Sequence, residues 1–155
     1  MQEDRMPSTK RRVPKQTAKS VNARIQRTTE QRIRHFDQNQ DQIDRRLREL
    51  EREWDVERAL ESNAAIAGLI ALAIAGQSQN RRWLALPAVI SGFLLQHAIQ
   101  GWCPPLPVFR QLGFRTSYEI EQERQALKAL RGDFARLPSG RGRGRVRASL
   151  RAARA

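Results

Sequence analysis

The sequence has little cysteine and no recognisable catalytic motif. Its one cysteine, Cys103, excludes an intrachain disulfide and any metal site that needs several cysteine ligands. A glycine-rich phosphate loop, a Gly-x-Ser-x-Gly turn, His-Glu-x-x-His and Cys-x-x-Cys are all missing from the chain. We therefore expect no enzyme activity, no metal, no cofactor and no small-molecule substrate.

Acidic residues are scarce at both ends of the chain. The 155 residues include 29 Lys and Arg but 16 Asp and Glu, which gives a net charge of +13. Residues 1–35 carry +7 and residues 138–155 carry +6. In contrast, residues 62–109 contain only two charged side chains. The chain therefore combines basic ends with a nearly uncharged middle.

The uncharged middle predicts two membrane-spanning helices. One charge-free window covers residues 62–80 and a second covers residues 83–109. A 19-residue helix is about 28 Å long, close to the roughly 30 Å thickness of the hydrocarbon layer. The first window has no polar face in its apolar part, whereas a helix of a soluble protein normally has one. We predict helices at about 62–79 and 83–102, and the alternative is a soluble helical pair that forms an ordinary core.

Tryptophan and arginine flank the second predicted span. Trp83 and Trp102 are 19 positions apart, which matches one aromatic anchor at each membrane interface. Arg81 and Arg82 lie in the short polar connection, where they would also anchor the interface. Because this connection is only six residues long, we expect an antiparallel transmembrane hairpin. Pro104 follows Trp102 and is expected to stop the helix.

Basic residues near the two spans predict the orientation. Ten lie outside the hairpin, against two in the connection: Arg45, Arg46, Arg48, Arg52, Arg58, Arg110, Arg115, Arg124, Lys128 and Arg131. Positive charge is enriched on the cytoplasmic side, so both termini are expected to be cytoplasmic. We find no signal-peptide pattern in the first 60 residues and expect the hairpin itself to hold the protein in the membrane.

Residues 30–61 are expected to form one long polar helix. Its apolar residues recur in steps of three and four, with Gln40 as the one polar member. These apolar residues are Ile33, Phe36, Ile43, Leu47, Leu50 and Trp54. Three heptads are compatible with self-association as a coiled coil, and hence with a homo-oligomer. They are equally compatible with an amphipathic helix that packs on the membrane or on its own chain.

Three further segments complete the predicted organisation. Residues 117–134 are expected to form a short amphipathic helix that begins at a Thr116–Glu119 capping box and ends at Gly132. Residues 1–29 and 135–155 are expected to be disordered basic tails. Such tails bind anionic lipid headgroups or nucleic acid. We favour lipid, because no aromatic residues are interleaved with the arginines for base stacking.

His97 and Cys103 are the two chemically versatile side chains near the end of the second predicted span. We interpret His97 as a hydrogen-bonding residue at the headgroup boundary or across the hairpin, although a polar residue at membrane depth also raises a functional hypothesis. Cys103 is interpreted as a small apolar residue, and the alternative is thiol chemistry at the membrane edge. Six positions apart, the two residues are poorly placed to share a metal ion.

The segment after the second span resembles the closing motif of the YgaP-like transmembrane domain family, small bacterial inner-membrane domains of two spanning helices. The residues that carry the likeness are Gly101, Trp102, Cys103, Pro104, Leu112, Gly113 and Thr116. The resemblance covers roughly residues 57–116 and implies a hairpin over residues 62–116. In that family the domain occurs alone or behind a rhodanese sulfurtransferase domain. This chain has a polar helix there and extra residues between Pro104 and Leu112, so the resemblance implies no sulfur transfer.

The sequence thus predicts an all-α membrane protein of the bacterial inner membrane. We expect a hairpin that anchors a cytoplasmic helix, with possible self-association and basic tails on anionic lipid. The first alternative is a thiol- or sulfur-handling membrane subunit that uses Cys103. The second is a soluble helical protein that binds nucleic acid through its basic ends.

Overall fold

The computed structural model describes Ser8 and residues 10–78, 80–135 and 143–154, and every regular element in this part of the chain is helical. Short 3-10 turns precede the third and fifth α-helices. The α-helices are α1 (Arg12–Lys15), α2 (Lys19–Gln38), α3 (Ile43–Arg52), α4 (Val56–Ser78), α5 (Ala85–Gln100), α6 (Leu106–Gln111), α7 (Ser117–Arg131) and α8 (Arg143–Arg154). The all-α prediction is confirmed for these residues.

Two of these helices are long and apolar enough to cross a membrane. One lies in the helical stretch Gln40–Ser78, whose apolar run belongs to α4, and the other is Arg82–Gln100, which contains α5. These two candidate spans overlap the predicted helices at about 62–79 and 83–102. Asp55 starts α4 earlier than expected, because its carboxylate accepts a hydrogen bond from the backbone N–H of Arg58 at 2.7 Å.

Unit 1 comprises Met1–Ile25 and Trp54–Tyr118. Its core joins α1, the first turns of α4 and the segment that follows α5. The core residues are Val13, Val56, Leu60, Cys103 and Leu106, with Trp102, Phe109 and Phe114 packed against them. The backbone N–H of Val56 also donates to the Arg115 carbonyl at 2.8 Å. The base of α4 is therefore built into a packed core, while the rest of the helix leaves it.

Unit 2 comprises Gln26–Glu53 and Glu119–Ala155. Its core is formed by α2, α3 and α7 through Phe36, Ile43, Leu47, Leu50, Ile120 and Leu127, with Leu130 packed alongside. Arg131 adds a polar link, because its guanidinium donates to Asp44 in α3 and to Asp133 just beyond α7. The amphipathic face of α3 is thus covered by its own chain.

The structure differs from the predicted single helix over residues 30–61. α2 ends at Gln38, and the Asn39 side-chain amide donates to the His35 carbonyl at 2.8 Å, which satisfies one of the open carbonyl groups there. A second break follows α3, where Glu53 has an extended backbone with ψ of 129°. The heptad pattern therefore runs through three separate elements and does not describe one continuous coiled-coil strand.

The terminal segments also differ from the prediction of disorder. Residues 12–15 and 19–29 are helical, and α8 lies inside the predicted tail 135–155. Residues 1–7, 9, 136–142 and 155 lie outside the described part of the chain. The predicted short helix over 117–134 agrees with α7, which ends at Arg131. The next residue, Gly132, has a left-handed φ of 85°.

Candidate functional site

The apolar exterior of α4 and α5 is exposed in unit 1, and we call it the apolar belt. Most large apolar side chains on both helices are exposed, with relative exposures such as 68% for Leu69 and 62% for Leu95. The full belt consists of Ile66, Leu69, Ile70, Leu72, Ile74, Leu86, Val89, Phe93, Leu95 and Ile99. An exposed apolar surface of this extent marks a site that contacts a partner or a membrane.

The predicted interface anchors differ in how exposed their side chains are. Trp83 is 43% exposed in the 3-10 turn before α5, and Arg82 is exposed beside it. The turn is fixed by Asn80, whose side-chain oxygen accepts from the Arg82 backbone N–H at 3.0 Å. Trp102 packs against the unit 1 core and lies beyond the end of α5. The side chain of Arg81 lies outside the described part of the structure.

A cleft of about 320 Å³ lies between the N-terminal half of α4 and the first ten residues of α5. Its walls are almost entirely apolar, and Asn63 is the polar exception. The lining residues are Leu60, Asn63, Ala64, Ala67, Leu86, Val89, Ile90, Phe93, Leu94, Cys103, Pro104 and Pro105. Small residues on α4 leave this space open. The arrangement provides no charged group that could bind a polar substrate at this position.

Glycine ends two helices in the segment that carries the family resemblance. Gly101 follows α5 with φ of 75°, and Gly113 follows α6 with φ of 97°. Both angles lie in the left-handed region, which glycine adopts without the steric cost of a Cβ atom. Their backbone N–H groups donate to the His97 and Arg110 carbonyls, respectively. These two residues therefore have a structural explanation that requires no ligand.

The other residues of the resemblance differ in burial. Cys103 is 5% exposed in the unit 1 core, and Thr116 is 4% exposed just before α7. Pro104 is exposed in the turn that leads to α6 and lines the cleft. Leu112 is also exposed, at 72%. The segment follows α5 and packs against the first turns of α4.

Arg12 binds the carboxyl end of α5. Its Nη1 donates to the Ala98 carbonyl at 2.6 Å. A cation at this position complements the negative end of the helix dipole and satisfies an open carbonyl group. The contact depends on Gly101, since a Cβ atom there would lie 2.7 Å from the Arg12 carbonyl carbon. Sequence analysis missed this contact because nothing local links two residues so far apart in the chain.

Arg110 is fully buried, although it was counted as a charge that determines orientation. Its guanidinium donates from Nε to Thr17 Oγ1 at 3.2 Å and from Nη2 to Asn22 Oδ1 at 2.9 Å. Nη1 donates to the Phe114 carbonyl at 3.0 Å. Arginine stays charged under all ordinary conditions, so these oxygens replace the water that it loses on burial. They also explain why the polar N-terminal segment is ordered.

His97 and Cys103 are both buried in unit 1. Neither ring nitrogen of His97, which is 3% exposed, has a hydrogen-bond partner among the described residues. The predicted hydrogen bonds of His97 are therefore not found there. Burial raises the pKa of the Cys103 thiol, so less thiolate forms at neutral pH and its nucleophilicity falls. In the described chain no three His, Cys, Asp or Glu side chains are grouped closely enough to hold a metal ion.

The predicted self-association residues are largely used inside unit 2. Phe36, Ile43, Leu47 and Leu50 belong to its core. Ile33 is half-buried, and Trp54 belongs to unit 1, where it is 47% exposed with the Arg58 guanidinium 4.7 Å from its ring centre. The six residues therefore do not form one continuous face that is free to pair with a second copy.

A buried ion-pair network lies beside the unit 2 core. Glu123 in α7 is fully buried and accepts from Arg46 Nε at 2.8 Å, while Arg32 lies 3.6 Å away. Arg46 also contacts Glu49 and Glu53. Burial alone would lower the pKa of Arg46, but the hydrogen bond and charge of Glu123 outweigh it and raise the pKa above its usual value. The network links α2, α3 and α7.

No protein-family model matches the chain, and neither the curated proteins nor the solved structures include a significant match.

Proposed function

We propose that this protein is an integral protein of the bacterial inner membrane, in which α4 and α5 form an antiparallel transmembrane hairpin. The observation that carries the proposal is the exposure of the apolar belt. Only 17% of the apolar window in the first candidate span and 6% of that in the second are buried. A core helix of a soluble protein would have most of this surface covered by its own chain.

The resemblance to the YgaP-like transmembrane domain supports the same architecture. Gly101 and Gly113 have the backbone conformations that end α5 and α6, and Cys103 packs in the core at the base of the helices. These roles suit a motif that shapes the end of a hairpin. The proposed membership concerns the membrane domain alone, without a sulfurtransferase activity.

Anchoring is the role that best fits the remaining chain. Unit 2 has its own apolar core and its own buried ion pairs, so it does not need a membrane to cover its helices. We assign it to the cytoplasmic side together with both termini, in agreement with the excess of Lys and Arg outside the connection. The protein would hold this small helical unit at the inner face of the membrane, with no catalytic function.

The proposal is tested by fractionation and by labelling from outside the cell. The full chain should stay in the membrane pellet through high-salt and alkaline carbonate washes and should be released by detergent. In a Cys103→Ala background, Asn80→Cys should react with a membrane-impermeant maleimide in intact cells. Gly144→Cys should react only after permeabilisation.

Each half of this test has a clear contradicting result. Release of the chain by carbonate would exclude the integral hairpin and favour the soluble alternative. Labelling of Gly144→Cys in intact cells would exclude the cytoplasmic termini while leaving the spans in place. Labelling of both positions only after permeabilisation would show that the connection between α4 and α5 does not reach the outer side.

A further inference from the structure

Helix α8 buries Ala152 and exposes its two larger apolar residues. Ala152 is 9% exposed, whereas Val146 and Leu150 are 59% and 50% exposed. The two outward residues are four positions apart, so they are neighbours on one face of the helix. A helix that only packed on its own chain would be expected to bury these two side chains first.

Lys128 of α7 contacts the end of α8. This lysine is 3% exposed on α7, and its Nζ donates to the Ala153 carbonyl at 2.6 Å. The cation satisfies a carbonyl at the carboxyl end of α8 and complements the helix dipole. Lys128 contacts only the end of the helix, and Val146 and Leu150 are exposed along it.

The charge on α8 has one sign. Its sequence contains five arginines and no acidic residue: Arg143, Arg145, Arg147, Arg151 and Arg154. Arg147 is exposed and lies three positions from Leu150, so the outward apolar pair has a basic side chain next to it. A helix with exposed apolar residues beside clustered arginines matches the surface of an anionic bilayer in both respects.

We propose that α8 lies on the surface of an anionic lipid bilayer. Val146 and Leu150 enter the boundary between headgroups and acyl chains, and the exposed Arg145 and Arg147 bind lipid phosphate groups. Nucleic acid would account for the arginines but would leave Val146 and Leu150 without a role. The inference rests on the proposed membrane location and adds a second, charge-dependent contact to it.

The test uses the full chain in lipid nanodiscs, which leave both membrane faces open to added reagents. Val146→Cys, in a Cys103→Ala background, carries an environment-sensitive fluorophore. The matched control is Ala148→Cys, which lies two positions away on the half-buried side. Nanodiscs of phosphatidylcholine alone are compared with nanodiscs that contain phosphatidylcholine and phosphatidylglycerol in equal parts, with iodide as the aqueous quencher.

The label at position 146 should be shielded from iodide in the anionic nanodiscs and accessible in the neutral ones. The label at position 148 should change little between the two. Arg147→Gln should weaken the shielded state by on the order of fivefold, as expected for one basic residue near an anionic surface. Leu150→Gln should also weaken the shielded state. Because this variant removes an apolar contact and no charge, added salt should not reproduce its effect.

Three results would overturn the inference. The label at position 146 could be equally accessible in both lipids, or both labels could be shielded to the same extent. Shielding at position 146 that requires an added oligonucleotide would assign α8 to nucleic acid. Incorporation of the chain into neutral nanodiscs is scored separately, so a failure of the hairpin is distinguished from a failure of the α8 contact.

Discussion

Arg12 and Gly101 are in direct contact at the carboxyl end of α5. The Arg12 side chain donates to the Ala98 carbonyl, and its backbone lies against the one face of Gly101 that a Cβ atom would occupy. Through this contact α1 caps the carboxyl end of α5, one of the two helices that carry the apolar belt. Glycine at position 101 is explained both by the left-handed φ and by the close approach of Arg12. An experiment is needed to separate these two explanations.

The Gly101→Ala variant should be less stable than the Gly113→Ala variant. Both positions have a left-handed φ, for which alanine costs about 1–2 kcal/mol. Only at Gly101 would the new methyl group also meet Arg12, and such overpacking typically costs about 1–3 kcal/mol more. Thermal unfolding in detergent, followed by circular dichroism, measures both. Equal losses in the two variants would show that α1 does not press on Gly101.

Replacing Glu123 by Gln should destabilise unit 2 strongly. The carboxylate is fully buried between Arg46 and Arg32, and loss of one partner from a buried ion pair costs about 3–5 kcal/mol. The control is Glu49→Gln, which removes a 53% exposed partner of the same Arg46 and should cost about 1 kcal/mol or less. Denaturant unfolding compares the two variants. Similar effects at both positions would argue against a buried network.

Leu50→Ala should lower the stability of unit 2. Its effect on self-association is measured separately. The side chain is 2% exposed in the unit 2 core, so we expect a loss of about 2–5 kcal/mol. Trp54→Ala should cost about 1 kcal/mol or less, because the indole is half exposed and contacts Arg58. Unfolding midpoints and cross-linking in membranes are measured together. If Leu50→Ala abolished cross-linked dimers without lowering the midpoint, the coiled-coil hypothesis would be favoured.

The Cys103 thiol should react slowly with maleimide in the folded protein. It is buried, and burial raises its pKa, so both access and thiolate content are low. A cysteine at the exposed position 112, introduced as Leu112→Cys with Cys103→Ala, should react at least about tenfold faster. As the pH rises, labelling of Cys103 should continue to accelerate after the rate at position 112 has levelled off. A fast reaction at neutral pH would revive the thiol-handling alternative.

The sequence was most informative where the controlling interaction is local. The charge-free windows at 62–80 and 83–109 contain most of α4 and all of α5, because hydropathy is a property of the run itself. Gly132 ends α7 as predicted, since a left-handed residue after a helix is a local requirement. The all-α class follows from such signals alone.

Contacts between distant parts of the chain could not be predicted in the same way. Helix α1 and the start of α2 are ordered by Arg110, which lies 93 positions from Thr17 and 88 from Asn22. The heptad pattern missed the break at Asn39, because spacing alone does not show that an amide side chain satisfies the end of α2. It also could not show that the partner of this apolar face is α7 of the same chain.

The candidate site shows the same division. Gly101 and Gly113 are among the residues that carry the resemblance, and both have a left-handed backbone in the structure. The resemblance could not show the contact of Gly101 with Arg12, nor the burial of His97 without a hydrogen-bond partner. Those properties arise only when α1 packs beside the end of α5.

Helix α4 is continuous for 23 residues, about 35 Å, from Val56 in the unit 1 core to Ser78. A long spanning helix adapts to a thinner bilayer by tilting. Since Val56 and Leu60 are packed in the core, such a tilt would strain the helix start at Asp55 and the Val56–Arg115 hydrogen bond. At the proposed membrane location, the thickness of the lipid would thereby act on the packing of the unit 1 core.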